Sequence, residues 1–215
     1  RCIIGVHIFG HACDIRAIAQ LGPPVIEDAC QSLGLRVDGS MVGSLGTLGV
    51  LSFHATKCIT TGEGGMVVTR DEAMGDQLKE VVLGAPRAQS RQVAPLSDLQ
   101  AALGLSQLAR YERFVARRDE LRSRYLQAVE RYALASAPGS DSNMLFRFTL
   151  RSDRRFEDVQ QAFQQRGVSV RRGVDELLHR ILGLQDAYFP MAVKLFDRTV
   201  SIPFYPALTD EESGH

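Results

Sequence analysis

LSFHATKCITTGEGG, the stretch from Leu51 to Gly65, joins two apolar runs of the chain, Leu48–Phe53 and Met66–Val68. This order predicts a strand, a loop that presents Lys57, a glycine-rich turn and a second strand. A lysine in such a loop is either a solvated surface charge or an amine held in place for chemistry. Lysine side chains are mostly exposed in proteins, so the rest of the sequence has to decide between the two.

A strand–helix–strand pattern precedes this stretch. Ile3–Phe9 is typical of a strand, Asp14 can cap a short helix that ends at Gln20, and Val25-Ile26 begin a second strand. This order within about 30 residues predicts a parallel pair of strands joined by a crossover helix. Ligands of such sheets bind beyond the carboxyl ends of the strands, where Asp28 lies. Asp28 is therefore either a ligand-facing carboxylate or an aspartate that caps a turn or helix.

Gln31 and a glycine-rich segment follow Asp28. Gln31 lies three residues beyond Asp28, so the two side chains share a face if the segment forms a helical turn. Five glycines lie between Gly34 and Gly49, and Asp38-Gly39 predicts a hairpin turn. We interpret most of these glycines as parts of connecting turns.

Two capping boxes divide the rest of the chain. Thr69–Glu72 predicts the start of a helix that continues to Leu83, and Ser97–Gln100 opens a long helical pattern without a breaker. We therefore predict a first domain at residues 1–95, a long linking helix at 96–137, and a small α+β domain at 138–215; the resemblance described below implies that the first is a partial large domain. The elements predicted after the linker Pro138–Ser142 are a strand at Met144–Leu150, a helix at Arg155–Gln165, a strand at Val168–Val170, a helix at Pro190–Leu195, an edge strand at Ile202–Phe204 and a helix opened by Thr209–Glu212.

The bulk composition excludes several classes of protein. The chain has 215 residues, a formal net charge of zero and 45% hydrophobic residues, so nothing electrostatic favours a nucleic-acid partner. No apolar run is long enough to span a bilayer, which predicts no membrane partner. The four cysteines lack the spacing of a metal site or disulfide framework, and we expect no metal and a reducing, cytoplasmic location.

Asp28, Ser52 and Lys57 are predicted to meet at the carboxyl edge of the sheet. A lysine amine, a carboxylate and a hydroxyl in this setting suit pyridoxal 5'-phosphate: the amine can form a Schiff base with its aldehyde, and the carboxylate can hold its pyridine nitrogen protonated. The hydroxyl can bind its phosphate.

The motifs around these residues resemble the DegT–DnrJ–StrS family of sugar aminotransferases, which are fold-type I pyridoxal-phosphate enzymes. VIEDACQSLG, from Val25 to Gly34, is similar to the family signature (V/I)-I-E-D-A-A-Q-x-x-G, and residues 52–65 are similar to S-F-x-x-x-K followed by T-G-E-G-G. Further resemblance lies at Val6–Gly10, Asp98–Leu108 and Ser201–Glu212, in the family's order.

The resemblance implies a role for each site residue. It implies Lys57 as the Schiff-base lysine and catalytic acid/base, Asp28 on the pyridine nitrogen, Gln31 near the ring hydroxyl and Ser52 on the phosphate. It further implies an α/β fold whose three-layer, mostly parallel sheet forms a partial large domain, followed by the small α+β domain. We expect His7, His54 and Cys58 to be packing residues.

The activity implied by the resemblance is the transfer of an amino group from an amino acid, glutamate in this family, to a nucleotide-linked keto sugar, by a homodimer. Some relatives carry histidine in place of the lysine and perform dehydration, and Lys57 argues against that branch.

Two departures from the family pattern leave alternatives open. The chain lacks the family's N-terminal part, and Val93–Leu96 stand where the family has N-Y-R-M. The sequence is then either a fragment of a full enzyme or a truncated relative. A truncated, non-catalytic relative that acts as a binding or regulatory protein is one alternative to the aminotransferase, and an enzyme for a cyclitol or another small ketone is another.

Overall fold

The structure is a computed structural model that describes residues 1–83, 95–131, 135–136 and 144–214. The chain divides into two compact units. One comprises Arg1–Ala116 and Ser142–Phe146, and the other comprises Arg117–Asp141 and Arg147–His215.

The first unit is built on a four-stranded sheet with the order β1-β2-β5-β6. Its strands are β1 (Ile3–Val6), β2 (Val25–Asp28), β5 (Leu48–Ser52) and β6 (Gly65–Val68). β1 pairs with β2 and β2 with β5 in parallel, whereas β5 and β6 are antiparallel. The predicted α/β fold with a mostly parallel sheet is therefore confirmed, and the carboxyl ends of β2 and β5 lie at one edge.

The crossover helix α1 (Ile15–Ala19) begins where the sequence predicts it. The Asp14 carboxylate accepts a hydrogen bond from the Ala17 N–H at 3.0 Å and caps the helix. Ile15 is buried, and its side chain packs so closely on β1 that a side chain at Gly5 would collide with it. This glycine lets α1 lie directly on the sheet.

A short hairpin follows β2. It consists of β3 (Arg36–Val37) and β4 (Ser40–Met41), and its two turn residues have positive φ angles, 47° at Asp38 and 77° at Gly39. This is the turn geometry that an Asp-Gly pair favours, so the hairpin prediction is confirmed. The hairpin contributes Leu35 and Val42 from its flanks to a buried cluster with Ala29, Cys58 and Met144.

Helix α2 (Glu72–Leu83) begins two residues later than its capping box predicts, because Asp71 rather than Thr69 accepts a hydrogen bond from the helix, at the Met74 N–H. The next capping box is present as predicted: Ser97 and Gln100 exchange hydrogen bonds at the start of α3 (Asp98–Leu108). Where the sequence predicts one long helix, the chain forms α3 and then α4 (Tyr111–Arg131), which runs across the boundary between the units.

The second unit contains an antiparallel sheet with the order β7-β8-β10-β9. Its elements in chain order are β7 (Ala135–Ser136), β8 (Phe148–Arg151), α5 (Phe156–Gln164), β9 (Arg171–Arg172), α6 (Leu178–Ile181), α7 (Pro190–Arg198), β10 (Thr199–Ile202) and a short 3-10 turn at Glu212–Gly214. Phe156, Val170 and Val200 form its buried cluster.

Three predictions for this unit are wrong. β10 is central rather than an edge strand, because Pro203 lies just beyond its last paired residue and no ladder bond is lost. The strand predicted at Val168–Val170 forms instead at Arg171–Arg172, while Val168 and Val170 pack in the core. The last predicted helix is only a 3-10 turn. The Pro138–Ser142 linker lies outside the described residues.

Among the described residues, no helix has the length and apolar character needed to cross a membrane.

Candidate active site

Two neighbouring parallel strands end in polar side chains. Asp28 is the last residue of β2 and lies opposite Val50 of β5, and Ser52 ends β5 two residues later. The Asp28 carboxylate accepts a hydrogen bond from the Cys30 N–H at 3.0 Å, and the Ser52 hydroxyl accepts one from the His54 N–H at 3.3 Å. Both side chains therefore lie at the strand ends, at the edge of the sheet where the sequence predicts ligand binding.

Lys57 lies in the loop between β5 and β6. Its N–H donates to the His54 carbonyl oxygen at 2.9 Å, and its Nζ atom lies 5.1 Å from the centre of the Phe146 ring. The loop is closed at its base, because Thr61 donates its N–H to the Phe53 carbonyl oxygen at 2.9 Å and its hydroxyl to the Glu63 carbonyl oxygen at 2.7 Å. Lys57 is therefore carried by a loop with several internal hydrogen bonds.

The charges of Asp28 and Lys57 both affect the pKa of the Cys30 thiol. Burial, together with a hydrogen bond and charge repulsion from Asp28, raises the pKa of the Cys30 thiol from 9.0 to about 12, while the nearby positive charge of Lys57 opposes the rise. The Cys30 thiol therefore stays protonated at neutral pH, two residues beyond the end of β2. The sequence analysis does not single out Cys30, which stands where the family signature has alanine.

Gln31 is held by the segment that follows β1. Its Oε1 atom accepts a hydrogen bond from the Phe9 N–H at 2.9 Å. This bond fixes the side-chain oxygen, so the amide nitrogen is the group of Gln31 that can donate to a ligand. Phe9 itself has a φ angle of 59°, in the left-handed region that non-glycine residues rarely adopt.

A buried acid–histidine pair lies directly behind Asp28. The Glu27 carboxylate and the His7 ring are fully buried, and Nε2 of His7 lies 3.0 Å from Oε2 of Glu27. Nδ1 of His7 accepts from the Cys13 N–H at 3.0 Å, which leaves Nε2 as the donor to Glu27. The same carboxylate also accepts from three N–H groups of the glycine-rich turn, those of Gly43, Leu45 and Gly46.

This network shows what the sequence analysis missed. His7 is a buried packing residue as predicted, but Glu27 is not identified from the sequence at all. The glycines are also more than connecting turns, since a side chain at Gly49 would collide with the Gly43 carbonyl oxygen. The signal available in the sequence was an acidic residue two positions after Val25, on the face of β2 that is buried.

The two residues that flank Lys57 and were expected to pack, His54 and Cys58, differ in burial. Cys58 is buried in the core cluster, as predicted. His54 is not a packing residue: its side chain is 45% exposed, lies 3.0 Å from the Thr56 hydroxyl and 3.6 Å from the Glu63 carboxylate. Of the Val93–Leu96 segment, residues 93–94 lie outside the described residues, and Leu96 packs closely on Gly64.

Taken together, the geometry presents a carboxylate, a thiol kept neutral and an amine at one end of a parallel sheet, with an amide and a hydroxyl on the adjoining segments. A carboxylate can pair with a cationic heterocycle, an amine can bond an aldehyde, and the amide and hydroxyl can hold oxygen atoms.

Comparison with known proteins gives consistent matches over the whole chain. The profile of the DegT/DnrJ/EryC1/StrS aminotransferase family matches residues 1–215. The chain is 30% identical over 239 residues to a GDP-perosamine synthase from Vibrio cholerae, covering 99% of this chain and 63% of the relative.

Two solved structures have a similar fold. DesI, solved in the presence of its TDP-sugar product, superposes with a TM-score of 0.86 at 26% identity, covering 99% of this chain and 59% of DesI. The putative sugar aminotransferase Spr1654 from Streptococcus pneumoniae, in its PLP form, superposes with a TM-score of 0.88 at 22% identity, covering 100% of this chain and 66% of Spr1654. The chain thus spans less than two thirds of the length of the GDP-perosamine synthase and of both solved structures.

Proposed function

Because the chain belongs to the DegT/DnrJ/EryC1/StrS aminotransferase family, we propose that it transfers an amino group from an amino acid to a nucleotide-linked keto sugar with pyridoxal phosphate as cofactor. The amino donor in this proposal is glutamate. The observation that carries the proposal is that Asp28 ends β2 and Lys57 follows the end of the neighbouring parallel strand β5, at the same edge of the sheet.

The residues at this edge fit the cofactor in their chemistry. Pyridoxal phosphate carries a pyridine nitrogen that is protonated beside an acid, a ring hydroxyl, an aldehyde and a phosphate. Asp28 would hold the nitrogen, the amide nitrogen of Gln31 would donate to the ring oxygen, and Ser52 would donate to the phosphate. Lys57 Nζ would bond the aldehyde. Bound in this way, the cofactor supplies an electron sink that stabilises negative charge at the carbon that loses a proton.

The chain's own residues would perform the remaining tasks. Once the donor's amine has replaced it at the aldehyde carbon, Lys57 would act as general base and acid, taking a proton from the donor's α-carbon and giving it to that former aldehyde carbon. Its loop would keep the amine within reach, and the hydrogen bonds of Thr61 and the contact with Phe146 support this role. Asp28 would remain negatively charged to keep the ring nitrogen protonated, and the Glu27–His7 pair behind it would keep the end of β2 in place.

The relatives support a nucleotide-linked sugar as the acceptor. One relative is named GDP-perosamine synthase, and the DesI structure was solved in the presence of its TDP-sugar product. We therefore propose a keto sugar linked to a nucleoside diphosphate as the substrate class.

A homodimer in the cytoplasm completes the proposal. Helix α3 supports self-association, because Leu99, Leu105 and Leu108 are 85%, 68% and 55% exposed, and apolar side chains on a well-capped helix favour an interface. Free thiols at all four cysteines fit a reducing compartment.

Light scattering on the wild type and on Leu105→Glu would test the dimer. We expect a dimer in the wild type and a shift to monomer in the variant. A monomeric wild-type protein would contradict it.

The experiment that tests the function measures both halves of the reaction. The purified chain would be incubated with pyridoxal phosphate and glutamate, and formation of 2-oxoglutarate and pyridoxamine phosphate would be followed by chromatography. Keto sugars linked to GDP or TDP would then be added and their amination measured by mass spectrometry. We expect glutamate-dependent product with the wild type and none with Lys57→Arg. A folded protein that binds the cofactor but transfers no nitrogen would support a non-catalytic relative instead.

A further inference from the structure

Phe146 brings an aromatic ring to the Lys57 amine from a distant part of the sequence. The two residues are 89 positions apart, and the Nζ atom lies 5.1 Å from the ring centre. Phe146 is buried, with a relative exposure of 6%. This is within the range at which the negative face of an aromatic ring attracts an ammonium group.

The backbone around Phe146 is anchored to the sheet edge. Its N–H donates to the Phe9 carbonyl oxygen at 2.8 Å, and the Phe9 N–H in turn donates to Gln31. The next residue along, Gly10, lies so close to the Met144 carbonyl oxygen that no side chain would fit there. Met144 is itself part of the buried cluster. The backbone that carries the ring is therefore held against Phe9 and Gly10 by these contacts.

We propose that Phe146 is a positioning residue that holds the Lys57 amine at the sheet edge through its ring face. The proposal rests on the proposed function for its consequence, since an amine that moves protons has to stay near the reacting carbon whenever it is not bonded to the cofactor. A free lysine chain has four rotatable bonds and would otherwise sample solvent. The ring also excludes water from one side of the amine.

A test without cofactor separates this proposal from the proposed function. The chain has three lysines, Lys57, Lys79 and Lys194, so reductive methylation with ¹³C-formaldehyde gives a small set of NMR signals. Lys57→Arg assigns its signal. We expect the Lys57 methyl signal to be shifted upfield by the ring current of Phe146 in the wild type. The signal of Lys79, which is exposed and pairs with Asp76 at 3.0 Å, provides the unshifted reference.

Two variants at position 146 complete the test. Phe146→Tyr keeps a ring face and should retain the shift, whereas Phe146→Leu keeps an apolar side chain but should move the Lys57 signal to the position of Lys79. With pyridoxal phosphate added, the rate of covalent attachment to Lys57 should fall roughly 3- to 30-fold in Phe146→Leu and stay near wild type in Phe146→Tyr.

The wild-type spectrum alone can overturn the proposal. A Lys57 signal that coincides with Lys79 in the folded wild type would show that the ring does not hold the amine. The same conclusion would follow if Phe146→Leu were folded and left the signal unchanged. If Lys57 shows the ring-current shift but never bonds the cofactor, the placement by Phe146 stands and the proposed function fails.

Discussion

Glu27 and His7 form a hydrogen-bonded pair in which both side chains are completely buried, with 3.0 Å between Oε2 and Nε2. The pair ties β2 to the end of β1 and to the glycine-rich turn, whose N–H groups share the same carboxylate. A buried carboxylate without such donors would be strongly unfavourable. The network thus explains why a charged residue occupies the interior of β2, one position before Asp28.

Replacing Glu27 by Gln should destabilise the protein by about 1–3 kcal/mol, because the amide group would face N–H donors with its own NH₂. Urea unfolding followed by circular dichroism would measure the change. Asp76→Asn is the matched control, since Asp76 forms an exposed ion pair with Lys79 and should cost about 0–1 kcal/mol. Equal effects of the two variants would show that the buried network does not stabilise the fold.

Gly34 and Gly39 offer a direct comparison of two glycines with positive φ angles, 87° and 77°. A side chain at Gly34 would collide with the Tyr111 hydroxyl, which donates to the Leu33 carbonyl oxygen at 2.6 Å, whereas nothing lies within 4 Å of the corresponding position at Gly39. Gly39→Ala should cost about 1–2 kcal/mol from the backbone alone. Gly34→Ala should cost about 1–3 kcal/mol more because of the collision. Chemical denaturation of both variants tests this, and a Gly34 variant as stable as the Gly39 variant would contradict it.

Cys30 should resist alkylation. With a pKa raised to about 12 by burial and by Asp28, its thiolate at pH 8 should be roughly 1000-fold scarcer than that of an ordinary thiol. Iodoacetamide followed by peptide mapping should therefore modify the exposed Cys2 long before Cys30. Asp28→Asn removes one of the causes and should speed modification of Cys30 but not of the buried Cys58. Unchanged Cys30 reactivity in that variant would show that Asp28 does not face the thiol.

Asp186 lies in the second unit and accepts hydrogen bonds from Arg180 and His179. The Arg180 guanidinium, with a further contribution from His179, lowers the pKa of Asp186 from 3.8 to about 2. A lowered folded-state pKa stabilises the folded form above the unfolded value, and that stabilisation is lost as pH falls through the folded value. The effect should therefore be complete above about pH 4 and disappear toward pH 2.

Titration of the Asp186 carboxyl carbon by NMR measures this pKa directly. Arg180→Gln should raise it toward 3.8, because the largest cause is removed. A wild-type value of 3.8 or higher would show that the three side chains do not interact as described.

The strand ends of the candidate site were predictable because their signals are local. Apolar runs that stop at Asp28 and Ser52, a hairpin at Asp38-Gly39 and a capping box at Ser97 each depend on a few neighbouring residues. These short-range preferences persist in the folded chain. The position of Lys57 after β5 follows from the same kind of signal.

The parts that sequence reasoning missed depend on residues far apart in the chain. His7 meets Glu27 only because β1 and β2 pair in the register that sets Gly5 opposite Glu27. Phe146 reaches Lys57 because the chain returns to the sheet edge beside Phe9 and Gly10. No local pattern specifies either contact. The central position of β10 was also missed, because a proline is excluded from the middle of a central strand, whereas Pro203 follows the paired residues of β10.

The central claim is that Lys57 is the residue that bonds pyridoxal phosphate. The purified chain would be mixed with pyridoxal phosphate, reduced with borohydride, digested and analysed by mass spectrometry. Lys57, Lys79 and Lys194 are the lysines of the chain, so the labelled peptide identifies the residue without ambiguity, and Lys57→Arg serves as the control. We predict one stoichiometric phosphopyridoxyl group on Lys57 in the wild type and no comparable label at Lys79 or Lys194. A folded protein that carries no label, or carries it equally on all three lysines, would contradict the account.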